Sequence, residues 1–497
     1  IPNGFAALVR ELERAKKFGF TASEYARAKA DYLRYLESAY NERSKTRNAQ
    51  YVNEYVRHFL DNEPIPGIET EYALMNQIAP NIPLEAINTV LPQIITDENI
   101  VINVFGPDKE GVTYPTEEEI LNVLKSVKAE ELTAYVDKVS DEPLMKEAPK
   151  AGKIVKEENG PFGSTVWTLS NGVRVVIKPT DFKADQILMR AFSPGGTSLF
   201  GTKDALQLKM LNNVAGVGGL GNFSNVDLEK VLAGKKASIN ASVNGLTEGL
   251  SGSCSPKDME TMLQLTYLSF TAPRMDLDAF ESFKNRTKAE LANQEANPMT
   301  ALSDSLQHAL YGNHPLAIRV KSDMVDQIDY NLIMEMYKNR FMEAGDFTFL
   351  FVGNINPDEA KPMIETYLGG LPTIQRKENF VDIKMDFRKG EYKNVFNKQM
   401  ETPMATVVVV ASGNCEYNLK NDLLMMCLSR TLDMVYLEEV REKQGGTYGV
   451  QTVGQLTRYP KDEAILQVVF NTDPNKREIL MNIIMGELQK VAKDGPN

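Results

Sequence analysis

One pattern occurs twice in this chain, and it limits the folds that the chain can adopt. Residues 83–109 read as a helix, a short break, a buried strand at 99–107 with a glycine near its end, and a polar turn. Residues 330–356 repeat that order. The copies lie about 250 residues apart, which indicates a whole domain that occurs at least twice rather than a short solenoid unit. The 497 residues are enough for two to four such domains.

A hairpin signal indicates how the strands of such a domain are arranged. The segment STVWTLSNGVRVVIKPT (164–180) holds two β-rich runs around Asn171 and Gly172, a dipeptide typical of tight hairpin turns. Helical patterns lie on both sides of it. The sequence therefore predicts an α+β fold in which antiparallel sheets pack against helices.

The composition of residues 138–165 differs from that of the rest of the chain. This stretch is rich in Lys, Glu, Pro and Gly, so we interpret it as a linker between residues 1–137 and 166–375. A shorter polar stretch opens a last domain, 376–497. The chain begins in a helical pattern with neither an initiator Met nor a signal peptide, so we expect it to be a piece of a longer protein.

Charge and cysteine content exclude several classes of protein. The net charge of −12 argues against a nucleic-acid binder, which normally has a basic surface. No apolar run approaches the ~18 residues of a membrane span. An odd number of widely spaced cysteines predicts neither a disulfide framework nor a cysteine zinc cluster; they are Cys254, Cys415 and Cys427.

Two segments imitate known motifs. GVGGLG (216–221) has dinucleotide-loop spacing but follows a helical pattern instead of a strand, so a loop that ends a helix is favoured. HFLDN (58–62) resembles an H-x-x-E-H zinc motif with Asp61 and Asn62 in place of the glutamate and the second histidine. The other histidines, His308 and His314, are six residues apart and face different directions on a helix. We therefore predict no zinc site in this chain, while a carboxylate-only site stays open.

The segment EEVREKQGGTYGV (438–450) allows two interpretations. Arg441 can simply complement a helix C-terminus, and Tyr448 can be an ordinary strand residue. Alternatively, the turn at Gly445 and Gly446 presents a guanidinium and a phenol on one surface. Such groups can bind a peptide carbonyl and stabilise a developing oxyanion.

This segment resembles the arginine–tyrosine segment in the C-terminal half of the pitrilysin/insulinase family of zinc metallopeptidases. WTLSNGVRVVIKPTDF (167–182) is similar to the opening strand pair of a family domain, and FLFVGNINPDEAKPMIETYLGGLP (349–372) to its closing strand and helix. The resemblance runs through most of the chain and is nearest to the large bacterial zinc proteases. It implies repeated α+β domains of the LuxS and processing-peptidase metalloenzyme type, four in number, in two halves that close like a clamshell around a peptide.

The resemblance also implies a different role for each domain. Residues 1–137 would be the rear of the second domain, 138–165 the linker between the halves, 166–375 an inactive third domain, and 376–497 a truncated fourth domain. Zinc would belong to the first domain of the full-length protein, so that this fragment alone binds none and is inactive. DALQLKMLNNVAGVGG (204–219), the counterpart of the zinc helix, contains no His or Glu.

Carried over by position, Arg441 would bind a substrate carbonyl and Tyr448 would stabilise the tetrahedral intermediate, which makes both catalytic and substrate-binding residues. The implied partners are a peptide or unfolded polypeptide and the N-terminal half of the same protein, in a bacterial periplasm. Gly445-Gly446-Thr447 replaces the usual Leu-Gly before the tyrosine, although the spacing of seven is kept. Two alternatives stay open: a non-catalytic peptide-binding or scaffold member of the family, and an unrelated hydrolase with a carboxylate-held metal.

Overall fold

The computed structural model describes residues 1–106, 113–138, 142–295, 297–400, 402–447 and 449–495. The chain divides into two compact units. The first consists of Ile1–Leu199, Leu206–Asn293 and Val320–Asn379, and the second of Phe200–Ala205, Gln294–Arg319 and Phe380–Asn497. Both units combine helices with a β-sheet, which confirms the predicted α+β class. None of the described helices has the length and apolar character that a membrane span requires.

The first part of the first unit is helical. Two of its helices begin with a capping box, in which Thr21 and Glu24, or Thr116 and Glu119, satisfy backbone N–H groups reciprocally. The helices are α1 Pro2–Phe18, α2 Ala22–Asn41, α3 Asn48–Asp61, α4 Ile68–Ile78, α5 Leu84–Ile94 and α6 Glu117–Lys128.

The strand expected at 99–107 is wrong for the part that the structure describes. Residues 99–106 belong to no sheet, and residue 107 lies outside the described residues. Val101 and Phe105 are 80% and 87% exposed. A strand forms only where a neighbour accepts its backbone hydrogen bonds, and none of the described strands lies beside this segment. The first copy of the repeat therefore shows the helix but not the strand.

A seven-stranded sheet forms the centre of the first unit. The predicted hairpin is present as β2 and β3, with Gly172 at φ 93° in the turn. The spatial order of the strands is β1-β2-β3-β7-β4-β6-β5. Their bounds are β1 Ile154–Asn159, β2 Thr165–Leu169, β3 Arg174–Pro179, β4 Ile187–Pro194, β5 Ala237–Val243, β6 Thr247–Cys254 and β7 Thr348–Gly353.

One strand pair of this sheet departs from the antiparallel prediction. β7 returns late in the chain and inserts between β3 and β4. It runs antiparallel to β4 and parallel to β3, because β3 and β4 themselves point in opposite directions. The sheet is therefore mixed, and its parallel pair is joined by a long helical connection, as parallel strands require.

Helices cover the sheet of the first unit and enclose an aromatic core. Phe341, Phe347 and Phe349 are fully buried and contact Phe270 with ring centroids 4.9–6.3 Å apart. Their rings fix the helices on the sheet. The helices are α7 Ala205–Val214, α8 Asn225–Val231, α9 Met259–Thr271, α10 Leu277–Glu295, α12 Tyr330–Phe341 and α13 Pro357–Tyr367. The first residue of α7 and the last two residues of α10 are assigned to the second unit.

The second unit has a smaller sheet, in the order β8-β10-β9. Its core is a cluster in which Val468 and Phe470 of the sheet pack against Leu432, Tyr436 and Ile484 of two helices. The elements are α11 Pro298–Tyr311, β8 Ala405–Gly413, α14 Leu419–Tyr436, β9 Val450–Thr457, β10 Glu463–Thr472 and α15 Arg477–Asp494.

Candidate functional site

Arg441 lies where helix α14 widens. After Tyr436 the chain continues as a π-helical turn, Leu437–Glu442, a local form that occurs frequently at functional sites. Val440 in this turn is fully buried in the core cluster. The next side chain, Arg441, is 52% exposed. Burial of one residue thus fixes the backbone that carries the guanidinium, while the guanidinium itself reaches solvent.

The turn after Arg441 uses its two glycines for different reasons. The Gly445 N–H donates to the Arg441 carbonyl over 2.9 Å, and Gly445 has φ 54°, a left-handed conformation that favours glycine. Gly446 is required for space, because a Cβ there would lie 2.7 Å from a terminal carbon of Leu480. The Gly-Gly pair thus permits a tight, packed turn after Arg441.

A side chain from β10 anchors this turn. The Thr472 hydroxyl donates to the Gly446 carbonyl over 2.6 Å, and Thr472 is buried. Thr447 in turn closes a local bond, since its hydroxyl donates to the Gly449 carbonyl over 3.0 Å. β9 begins at Val450. Thr472 could not be identified from the sequence pattern, because it follows Gly446 by 26 positions.

Tyr448, the other predicted catalytic residue, lies outside the described residues. The structure describes both of its neighbours, Thr447 and Gly449, and the anchored turn that precedes it. The proximity of the Arg441 and Tyr448 side chains therefore stays a prediction.

Two of the acidic residues near Arg441 pair with a lysine instead. Lys443 forms ion pairs with Glu439 at 2.6 Å and with Glu438 at 3.2 Å, and the hydrogen bond that Lys443 donates to Glu439 raises the pKa of Lys443. The Nε of Arg441 lies 3.8 Å from Glu442, which is too long for a hydrogen bond. Arg441 thus keeps hydrogen-bond donors for a ligand carbonyl.

The residues present do not fit a zinc centre. Among the described residues, no group of three or more His, Cys, Asp and Glu side chains could hold a metal ion. His58 bonds through Nδ1 to the Glu63 carbonyl at 2.7 Å, just beyond the C-terminus of α3. His314 lies 3.2 Å from the Ile383 carbonyl through Nε2. These two histidines thus make backbone contacts that stabilise loops.

The glycine-rich segment 216–221 is a loop that follows helix α7. The guanidinium of Arg274 donates to the Gly218 carbonyl over 2.6 Å. Gly219 and Gly221 adopt positive φ. With a helix before it and no strand, the segment lacks the context of a dinucleotide loop.

The C-terminal part of the chain matches a known family. Residues 328–497 match the family described as the peptidase M16 inactive domain. The predicted resemblance to a family of zinc peptidases is therefore confirmed, since the relatives of the chain are named zinc proteases.

Individual relatives extend the match over nearly the whole chain. The chain is 26% identical to a protein named zinc protease PQQL-like from Arabidopsis thaliana, over 97% of this chain and 50% of that protein. It is 21% identical to the probable zinc protease PqqL of Escherichia coli, over 96% and 51%. The chain thus spans about half the length of the curated relatives that it matches.

Solved structures show the same fold. The crystal structure of the periplasmic protease PqqL from Escherichia coli gives a TM-score of 0.63 at 20% identity, over 98% of this chain and 54% of that one. The ferredoxin protease FusC, in complex with Arabidopsis ferredoxin, gives a TM-score of 0.63 at 15% identity over the same shares.

Proposed function

We propose that this chain is the C-terminal, substrate-binding part of a zinc metalloendopeptidase. The zinc site would lie in a preceding half of the longer protein, and the two halves would close around a peptide. The observation that carries the proposal is the anchored turn after Arg441. A π-helical turn, two glycines and Thr472 fix the backbone between Arg441 and the position of Tyr448.

In this function the two side chains have distinct roles. The guanidinium of Arg441 donates hydrogen bonds to a backbone carbonyl of the substrate and so holds the peptide near the scissile bond. The phenol of Tyr448 donates to the oxyanion of the tetrahedral intermediate, where charge develops. Zinc, bound by residues outside this chain, would supply the activated water.

The rest of the chain has a structural role in this function. Residues 1–137 belong to the rear of a second domain, 138–165 link the halves, 166–375 form an inactive third domain, and 376–497 form part of a fourth. Related proteins include a periplasmic bacterial protease, so we place the protein in a bacterial periplasm. Peptides or unfolded polypeptides are its substrates.

The decisive experiment replaces Tyr448 in the full-length protein. Tyr448→Phe removes only the phenolic hydroxyl, so kcat should fall by about 10²–10³ while KM changes little. Tyr417→Phe is the matched control, because Tyr417 is an exposed tyrosine in the same unit, and its kcat should stay within about twofold.

Two results would contradict the proposal. Unchanged turnover of the Tyr448→Phe variant would remove the assigned role of the phenol. The absence of chelator-sensitive peptide cleavage by the full-length protein would favour the non-catalytic, peptide-binding alternative. The 497-residue chain alone is expected to cleave no peptide and to bind no stoichiometric zinc, which metal analysis checks.

A further inference from the structure

One face of the seven-stranded sheet carries exposed apolar side chains. Side chains alternate between the two faces of each strand. Alternate residues of β4 from Ile187 to Ala191 are buried, whereas Leu188, Arg190 and Phe192 are exposed. Leu188 and Phe192 are 48% and 49% exposed. A sheet face that meets only water is normally polar, so these two side chains indicate a binding surface.

The strand register places further side chains on the same face. Arg190 lies opposite Leu350 of β7, which in turn lies opposite Val176 of β3. Arg174 and Lys178 stand two residues before and after Val176, so their side chains leave the same face. The open face of the sheet therefore consists of Arg174, Lys178, Leu188, Arg190, Phe192 and Leu350.

The open face is positively charged, although the chain as a whole has a net charge of −12. Within the described part of the chain, none of the side chains of Arg174, Lys178 and Arg190 forms an ion pair. The positions of β3, β7, β4, β6 and β5 that share this face hold no Asp or Glu. On the edge strand β1, Glu158 is paired with Lys156 at 2.8 Å. Three cations thus surround an apolar centre without a carboxylate beside them among the described strands.

The corresponding strands of the second sheet lack this feature. β8-β10-β9 has the same order and antiparallel pairing as β4-β6-β5. The first residue of each outer strand, Ile187 or Ala405, pairs with the last residue of the central strand. By this register Val408 takes the place of Arg190. The fold therefore does not require a cation at this position, and its presence in the first sheet calls for a ligand.

We propose that the open face binds an extended segment of the polypeptide substrate in which two carboxylates flank an apolar side chain. The carboxylates pair with Arg174 and Lys178, and the apolar side chain between them packs on Leu350. Arg190 adds positive charge on the other side of Leu350. The proposal rests on the proposed function in identifying the ligand as the substrate, and it gives that substrate a class: acidic segments with interspersed apolar residues.

The spacing of the cations fits such a segment. Arg174 and Lys178 are four residues apart on one strand, which corresponds to about 13 Å. Carboxylates four residues apart in an extended peptide have the same separation and the same orientation, because side chains alternate. The residue midway between them also points to the sheet and meets the row of Val176 and Leu350. One segment that lies along β3 can therefore engage both cations and the apolar centre together.

Peptide binding to the full-length protein tests the proposal. A fluorescently labelled peptide with the core Glu-Ser-Leu-Ser-Glu is compared with one with the core Gln-Ser-Leu-Ser-Gln, with a chelator present so that neither peptide is cleaved. At about 50 mM salt the acidic peptide should bind with a Kd about tenfold lower, as expected for three exposed ion pairs. At about 500 mM salt the difference should largely disappear.

A triple variant locates the preference on the open face. Arg174→Gln/Lys178→Gln/Arg190→Gln should bind both peptides equally, with the Kd that the native protein has for the uncharged peptide. The matched control, Lys146→Gln/Lys257→Gln/Arg286→Gln, removes the same charge from exposed positions of the same unit. It should keep the preference within about twofold.

The outcomes separate this proposal from the proposed function. Equal Kd values of the two peptides for the native protein would overturn the acidic class, even if the protein cleaves peptides. A preference that survives in the first triple variant, or that the control also abolishes, would overturn the open face as its source. A preference that depends on the three cations in a protein without chelator-sensitive cleavage would support the binding site and contradict the peptidase.

Discussion

The two units build the same turn from equivalent positions and use it differently. The pairing of β5 with β6 and of β9 with β10 relates positions 211 residues apart, such as Ile239 and Val450. By this spacing Gly445 corresponds to Gly234, and both have positive φ. Arg441 then corresponds to Lys230, and position 448 corresponds to Ala237.

The lysine of the first unit, Lys230, is paired with a buried carboxylate, whereas Arg441 of the second unit is exposed to solvent. Lys230 is 16% exposed and lies 2.9 Å from the buried carboxylate of Asp137. The hydrogen bond that Lys230 donates to Asp137 raises the pKa of Lys230. Arg441 is half-exposed and lies 3.8 Å from Glu442, its ion-pair partner among the described residues. A shared frame therefore permits a binding role in one unit and a structural ion pair in the other, depending on one nearby carboxylate.

The largest expected difference between the two sheets is in core packing. Phe349→Ala should lower the free energy of unfolding by about 4–5 kcal/mol, because Phe349 is fully buried among other rings and the surroundings cannot collapse. Phe470→Ala should cost less, about 3 kcal/mol, since the smaller core can relax. Denaturant unfolding of both variants checks this. Equal losses would contradict the view that the seven-stranded sheet is the more rigid.

A buried carboxylate makes only the first sheet sensitive to pH. Burial raises the pKa of Glu248 to about 7. Glu248 pairs with Val243, and the equivalent pair in the second sheet joins Leu466 to Gly454, so an apolar residue takes the place of the carboxylate there. Around Glu248 lie Arg340, at 4.0 Å, and the Gly196 N–H, which donates to it over 2.6 Å. Ser193 also donates to Glu248, and Glu378 opposes its ionisation.

The sign of the effect follows from the raised pKa. The folded state binds the proton more tightly than the unfolded state, so this stabilisation is complete below about pH 4.5 and is lost as pH rises through about 7. Between pH 5 and 8 the first unit should lose about 2 kcal/mol. Glu248→Gln keeps an acceptor for Gly196 and should abolish this loss. Amide hydrogen exchange in β6, measured for both proteins at pH 5 and pH 8, reports the free energy of unfolding of the first unit and checks this prediction. Amide exchange in β10 is the control, because the second sheet has no equivalent carboxylate. An equal slope in the variant would assign the pH dependence to another group.

Local chemistry could be predicted from the sequence, whereas features that depend on distant neighbours could not. The hairpin at 164–180 was predictable because its Asn-Gly turn is encoded locally. The strand at 99–107 was wrong because its pattern says nothing about a pairing partner. The parallel pairing of β3 and β7 likewise depends on where a late strand inserts.

The same distinction holds within the candidate site. Arg441, Tyr448 and the two glycines form a contiguous pattern, so the sequence indicates them together. The π-helical turn leaves no mark in composition or spacing. The correspondence of the two sheets also escapes detection, because it preserves strand register rather than residue types. Cys254, paired with Ile187, and Thr472, paired with Ala405, hold equivalent positions and are chemically unlike.

The smallest expected stability effect concerns Thr472. Thr472→Val keeps the shape but removes the hydroxyl that donates to the Gly446 carbonyl, so unfolding should cost about 1 kcal/mol less. In the proposed function the turn aims Tyr448, so kcat of the full-length protein should fall about tenfold with little change in KM. Thr472→Ser retains the hydroxyl and should restore kcat.

A second hydroxyl in the same sheet distinguishes an effect on the position of Tyr448 from an effect on the free energy of unfolding. Thr406 donates to the Asn471 side chain over 2.7 Å and does not touch the turn. Thr406→Val should therefore cost a comparable free energy of unfolding and leave kcat unchanged. Stability comes from urea unfolding and kcat from peptide cleavage at saturating substrate. If both variants lower kcat equally, the effect arises from general loosening of the sheet, and Thr472 does not position the turn. If only Thr472→Val lowers kcat, the anchored turn has a functional role in the second unit that the equivalent turn at Gly234 in the first unit does not have.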